Sequence, residues 1–338
     1  MIGSPETADA EIPSPSPVTS NGSADVPKPK SAKRTEPEPT DETLYLIGRP
    51  KLKQFLRFVA REAIDPEDES ALIAEWQAAK DHISQLEKEE AGHADKPRIT
   101  PIEVEGKYKP LLVEFLKDPL IQHGFNTVPT EVAFVDLDSL VVYQHHIDLT
   151  FVEQLKKQLG PAPGDEEIFR ACLPYDHPHP PAKCSRVDDN TFVFVSPSND
   201  MRVLGNMRIN PRHIKDHASP GAVGVVGLTV GFGSNFLNAF YVEGRLILHN
   251  GSHRAYALRE MGFNRVPCIV QRVSTRDELE VLASSAVRQD PDNFLKHPRP
   301  SMLKDYLNPR LRKIVSVHRR LKQIMVKFQV DEAYVPVV

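Results

Sequence analysis

The sequence predicts an α/β (α+β) fold: a small mixed sheet with helices, preceded by an N-terminal helical extension. Three observations carry that prediction. Between residues 50 and 120 the apolar side chains recur at helical spacing. From residue 128 onward, short β-type runs alternate with helical segments, the pattern of strands covered by helices. Residues 245–270 then read as strand, glycine turn, helix and strand in direct succession.

Bulk properties narrow the function classes. The chain has 338 residues, 40% of them hydrophobic and 26% charged, with a formal net charge of -4. Such a chain buries a sizeable core. Its slight acidity argues against a protein that coats nucleic acid over its whole surface, though not against a local basic patch. Three cysteines, Cys172, Cys184 and Cys268, are too few for a disulfide scaffold and suit a reducing compartment, so a cytoplasmic location is expected. No secretory leader pattern is visible. The most apolar long stretch, residues 221–233, is glycine-rich and falls short of the ~18 apolar residues of a membrane span, so no membrane partner is expected. Nothing in the sequence sets an oligomeric state.

The elements follow in order. Residues 1–43 hold no aromatic residue and many prolines, and are expected to form a disordered tail. Residues 44–127 form the helical extension. One helix follows Pro50 with Leu52, Phe55, Phe58 and Val59 on a face; a second follows Asp65-Pro66 and runs to about Glu90; a third spans 108–120 with Leu112, Phe115 and Leu116 inward. The main domain is expected over 128–338. It opens with a strand around Val132–Leu137, then a helix capped by Asp148 and closed by Gly160. Residues 161–186, rich in Pro and His, read as a loop within an insertion at about 160–235, in which Thr191–Val195 is a strand and Asn210-Pro211 opens a short helix. A hairpin turns at Glu243-Gly244. A helix spans 252–261, a strand 266–270 and another helix 275–287; Asn308-Pro309 reads as a cap and first-turn proline, and the chain then reaches a strand from Ile324.

The stretch with chemical content is Asn250-Gly251-Ser252-His253-Arg254. Glycine adopts backbone angles closed to other residues and lets a ligand approach the main chain. The first N–H groups of the following helix have no intrahelical partner, and with the helix dipole they attract an anion. Ser252 caps the helix or bonds a phosphate oxygen. His253 donates a hydrogen bond or moves a proton, and Arg254 offers a planar fork to phosphate.

This pattern, with Ala257, Leu258, Gly262 and then Val266-Pro267, resembles the ParB/sulfiredoxin superfamily. Residues 132–159, with Asp136-Leu137-Asp138-Ser139-Leu140 and Gln144, resemble that family's opening unit, so the likeness covers about 128–273. It implies nucleotide or phosphate binding at Asn250–Arg254, with Gln144 beside it. Two departures set this chain apart from true members of two branches. Ser252 stands where sulfiredoxin-type reductases use cysteine, and no helix-turn-helix follows the domain as in partitioning proteins. Free-serine-kinase-like members carry a Gly-His-His-Arg turn, close to Gly251–Arg254.

Other constellations offer rival readings. Asp136 and Asp138 are candidates for a base or a magnesium ligand, or else a strand residue and a turn former. His145-His146 either faces the ligand or forms a polar turn. Cys172, His177, His179 and Cys184 have zinc-type donors but fit no standard module, and an extended loop is favoured. The glycines of 221–233 lack the Gly-Lys-Ser/Thr of a phosphate loop. Arg310, Arg312, Lys313, Arg319, Arg320 and Lys322 form a basic segment, read as an amphipathic element with a solvated face or as a nucleic-acid contact. The function expected is therefore binding of a nucleotide or other phosphorylated small molecule. Hydrolysis or phosphotransfer would need Mg2+ with a nucleoside triphosphate and would use His253, Asp136 and Asp138. The alternatives are a nucleic-acid-binding or nuclease-like module and a non-catalytic scaffold.

Overall fold

The computed structural model describes residues 39–103, 105–175, 179–209, 223–233 and 235–336. They form a mixed α/β structure with four small sheets. The chain begins with β1 (Thr40–Leu46), α1 (Leu52–Glu62), α2 (Glu69–Glu89), β2 (Ile99–Pro101), α3 (Lys109–Phe115) and α4 (Pro119–Gly124). Next come β3 (Thr130–Asp136), β4 (His146–Asp148), α5 (Leu149–Leu159), α6 (Asp165–Cys172), β5 (Lys183–Asp188), β6 (Thr191–Ser196), β7 (Met201–Ile209) and β8 (Val225–Phe232). The motif region supplies β9 (Asn238–Val242), β10 (Arg245–Asn250), α7 (Ser252–Glu260) and β11 (Arg265–Arg272). After it come α8 (Arg276–Leu282), α9 (Ser285–Gln289), α10 (Pro291–Leu295), β12 (Arg312–His318) and β13 (Lys322–Lys327).

The central sheet has the order β10-β9-β11-β3-β2. The β9–β10 hairpin is antiparallel, β11 returns parallel to β9, and β3 pairs antiparallel with β11. Side chains alternate between its faces as a pleated strand requires. Ala239, Leu246 and Leu248 enter the main core with Ala255, Tyr256 and Leu258 of α7, whereas Phe240, Val242 and Ile247 enter a second core with Leu279 and Val287. Burial on both faces explains why β10 and β11 read as near-continuous apolar runs. The same alternation places Leu44 and Leu46 of β1 in the main core and Tyr45 and Ile47 in a third core under α1 and α2.

Several expectations need correction. Residues 1–38 of the expected tail lie outside the described residues, but Thr40–Thr43 are strand: β1 pairs with β12 from Thr40↔His318 to Leu46↔Arg312, and with β4 on its other edge. Residue 128 is no structural boundary. Strands β1 and β2 of the supposed extension belong to sheets of the supposed domain, and part-buried ion pairs cross the line. Arg245 donates to Asp95 at 2.7 Å, and the almost fully buried Arg299 bridges Asp305 and Glu90. The third helix breaks in two at Pro119, which cannot continue the α3 hydrogen-bond ladder, leaving Leu116 exposed. The helix read over 275–287 breaks at Ala283–Ser284, both extended. Asn308 caps no helix: its side chain accepts the Arg310 N–H at 3.0 Å, and the chain passes into β12. The loop expected over 161–186 contains α6, which buries Ile168, Phe169 and Cys172, and also β5. The short helix expected at Asn210-Pro211 lies outside the described residues.

Candidate functional site

The glycine turn forms at the end of β10. Gly251 has φ 91° and ψ 24°, the left-handed region that penalises side chains. Its neighbourhood excludes them as well: a Cβ would lie 2.7 Å from Leu237 Cδ1 and 3.2 Å from Leu237 Cα. The Gly251 N–H donates to Asn250 Oδ1 at 2.9 Å, and α7 starts at once with no side-chain cap. Ser252, expected as a cap, is buried and donates its hydroxyl instead to Gln144 Oε1. Tyr306 fixes Gln144 from the other side, its hydroxyl donating to the Gln144 carbonyl at 2.7 Å. The turn is thus tied to the segment between β3 and β4, as the placing of Gln144 beside the motif anticipated.

Three cavities, of about 350, 560 and 600 Å3, surround this junction. The second and third share Tyr143 and Gln144; the first and second share Thr43, Glu62, His146 and Val317. His253 lines the first cavity beside His146, Asp148, Arg319 and Arg320. Its ring meets Phe151 edge-on at 5.6 Å. Burial, then the neighbouring His146 and Arg254, push the His253 pKa down to about 4, so the imidazole is neutral at pH 7. Burial likewise lowers His146, and raises Asp148, whose carboxylate accepts the Phe151 N–H at 2.9 Å as the cap of α5. The cationic wall is paired: Arg319 meets Asp41 at 2.9 Å and Arg320 meets Glu62 at 2.6 Å.

Arg254 does not line any of these cavities. Its exposure is 7%, and its guanidinium donates to the Asn235 carbonyl at 2.8 Å and to Asn235 Oδ1 at 2.7 Å. The expected phosphate fork is therefore spent holding the chain that enters β9. It still leaves a positive charge inside the fold whose hydrogen bonds among the described residues are to amide oxygens, with Asp200 an acid that acts on it electrostatically. Asp136 and Asp138 do not reach the cavities either. Asp136 accepts the Asp138 N–H at 3.1 Å and so caps the 3-10 turn Leu137–Ser139; Asp138 forms a two-pronged pair with Arg259 at 2.7 and 3.0 Å. In the structure these side chains serve a turn and a salt bridge.

The metal candidates are not gathered. Cys172 is fully buried on α6, where desolvation raises its thiol pKa to about 12; Cys184 is exposed on β5; His179 stacks on Phe232; His177 lies outside the described residues. Among the described residues no group of three or more His, Cys, Asp or Glu side chains is placed to hold a metal. Of the histidine pair, His146 faces the first two cavities, while His145 lines the second. No helix among the described residues is long and apolar enough to cross a membrane.

The third cavity contains residues the sequence reading passed over: His249, Asn238, Gln271, Tyr143 and Arg202. A signal existed. Asn238 and Gln271 are polar residues inside otherwise apolar strands, and both are only 4% exposed. His249 falls on the opposite face of β10 from Leu248 by simple alternation. Compared with family models, with curated proteins and with solved structures, the chain matches none. The likeness to the ParB/sulfiredoxin superfamily rests on the sequence pattern alone.

Proposed function

We propose that the protein binds a phosphorylated small molecule of nucleotide class in the cavity fronted by His253. The observation that carries this reading is the meeting, two residues past the left-handed Gly251, of a neutral imidazole with two arginines on the facing wall. An uncapped helix start and the buried Arg254 charge add positive potential behind it. Arg319 and Arg320 are half-exposed beside the part-buried Asp41 and Glu62, so their guanidiniums keep N–H groups open to phosphate oxygens. With a pKa of about 4 the His253 ring is too weak a base to hold a proton at pH 7, so its role in this reading is hydrogen bonding. Asp136 and Asp138 have no part in it. The reading is of binding, and no hydrolysis or phosphotransfer step is assigned.

Magnesium is not a resident ion in this proposal. The described residues lack a cluster to hold it, and Mg2+ arrives with a triphosphate, which supplies most of its oxygens. The rival nucleic-acid reading is disfavoured by the basic segment itself. Lys313 pairs with Glu67 and Glu75, and Arg312 donates to Tyr256 and Tyr306, so both cations are held within the fold. A thermal-shift titration with nucleoside triphosphates, with and without Mg2+, tests the proposal, since a ligand that binds only the folded state raises its melting temperature. A saturable rise that weakens in His253→Gln supports it. No rise with any triphosphate, or a rise indifferent to His253→Gln, overturns it.

A further inference from the structure

On the strand side of the Gly251 turn, we propose, the 600 Å3 cavity between Tyr143, Asn238, His249 and Gln271 binds an uncharged polyhydroxylated small molecule, a sugar or cyclitol. This is a different pocket from the one His253 faces, and the proposal stands without the phosphate reading.

Four carboxamides line this cavity: Gln144, Asn238, Asn250 and Gln271. A carboxamide carries a donor and an acceptor side by side, and the oxygens of Gln144 and Asn250 already accept from Ser252 and the Gly251 N–H. Asn238 and Gln271 stand on the neighbouring parallel strands β9 and β11, so the sheet itself fixes their spacing. The volume lies in the ordinary range of small-molecule sites.

Two polar atoms of the lining residues are shielded from solvent and bond to nothing among the described residues: Asn238 Oδ1 and His249 Nδ1. A buried polar atom left without a partner costs about 1–3 kcal/mol, so a fold that keeps two in one cavity is arranged for an outside group. A hydroxyl is the group that suits both. It donates and accepts at one atom, and so pairs with the Asn238 oxygen and with either tautomer of His249.

Charge excludes an anion. Arg202 and Asp200 face each other at the rim at 3.7 Å, both half-exposed, and cancel. Burial, and secondarily Arg202, keep His249 neutral, with a pKa near 4. Among the described lining residues the charges balance, so nothing in the wall calls for a phosphate or carboxylate. Two of the three Phe and Tyr rings among the described lining residues are already engaged by other rings. The Phe240 ring is covered by His249 at 4.6 Å, and Phe125 meets Phe236 edge-on at 5.9 Å. A puckered ring that presents C–H to these walls and hydroxyls to the amides fits what remains.

The test is saturation-transfer NMR and calorimetry on the full chain with D-glucose, D-ribose and myo-inositol, with adenosine and inorganic phosphate as contrasts. At least one polyol is expected to bind saturably. Asn238→Leu, which removes one orphaned acceptor, and Leu282→Phe, which narrows the cavity from an apolar position, each weaken that binding about tenfold or more. If Asn238→Leu fails to fold, Leu282→Phe decides. The proposal is overturned if no polyol binds the wild type, if only adenosine or phosphate binds, or if polyol binding is unchanged in the folded variants. A triphosphate shift lost in His253→Gln reports on the other cavity, so each reading can fail without the other.

Discussion

His249 and His253 stand two residues either side of Gly251, and their surroundings differ in kind. On the His253 side, Asp41, Glu62, Arg319 and Arg320 make a cavity of opposed charges. On the His249 side, carboxamides, a tyrosine and one rim ion pair make a neutral one. Both rings have nevertheless lost their basicity to burial, to about pKa 4. The comparison teaches that one five-residue turn serves two chemically distinct pockets. What a pocket recognises is decided by the elements brought against the turn: β1 and β12 on one side, β9 and β11 on the other.

The largest effect belongs to a change that breaks both sides at once. Gly251→Ala forces a side chain into the left-handed region and against Leu237, and is expected to cost about 2–5 kcal/mol in urea unfolding. A loss under ~1 kcal/mol would show that the turn relaxes freely.

Acid titrates the two sides together. The unfolded chain protonates each histidine near pH 6.5, the folded chain only near pH 4. Stability from these rings is therefore complete above about pH 6.5 and is lost as pH falls towards 4, by on the order of 3 kcal/mol per ring. Replacing either by Gln is expected to flatten the stability–pH curve between those limits, and an unchanged slope in both variants would contradict their burial as neutral rings.

Finer changes separate the sides. Arg319→Gln with Arg320→Gln is expected to weaken triphosphate binding about tenfold or more, with stability nearly unchanged and polyol binding intact. Equal loss of both ligands would merge the two pockets into one. Asp138→Asn, which touches neither cavity, is expected to cost at most about 1 kcal/mol through its pair with Arg259 and to leave both ligands' affinities alone.

Much of the local structure was legible in the sequence. The turn at Gly251, the Asp148 cap and the β9–β10 hairpin follow from glycine geometry, capping chemistry and alternation, each decided within a few residues. Helix α6 was legible but overlooked: Gly164, three acids in its first turn and the Ile168, Phe169, Cys172 spacing mark it, and the prolines downstream obscured it. The direction of Arg254 was not legible, because its partner Asn235 lies 19 residues upstream in a separate segment. Nor was the fate of Asp138, whose partner Arg259 is 121 residues away. Side chains that must choose between a ligand and the fold are decided by such distant contacts, and periodicity does not report them.

The Asp41–Arg319 pair in the wall of the His253 cavity joins residues 278 positions apart. During synthesis β1 and then the turn with its histidine emerge before β12, the strand that completes the sheet of β1. A ribosome-bound chain stopped before Arg312 therefore has the loop but no enclosure around it, and β1 has an open edge ready to accept a foreign strand. Closing so long a loop is slow. The wall of this cavity is therefore completed late in folding, and it depends on a strand far from the turn it encloses.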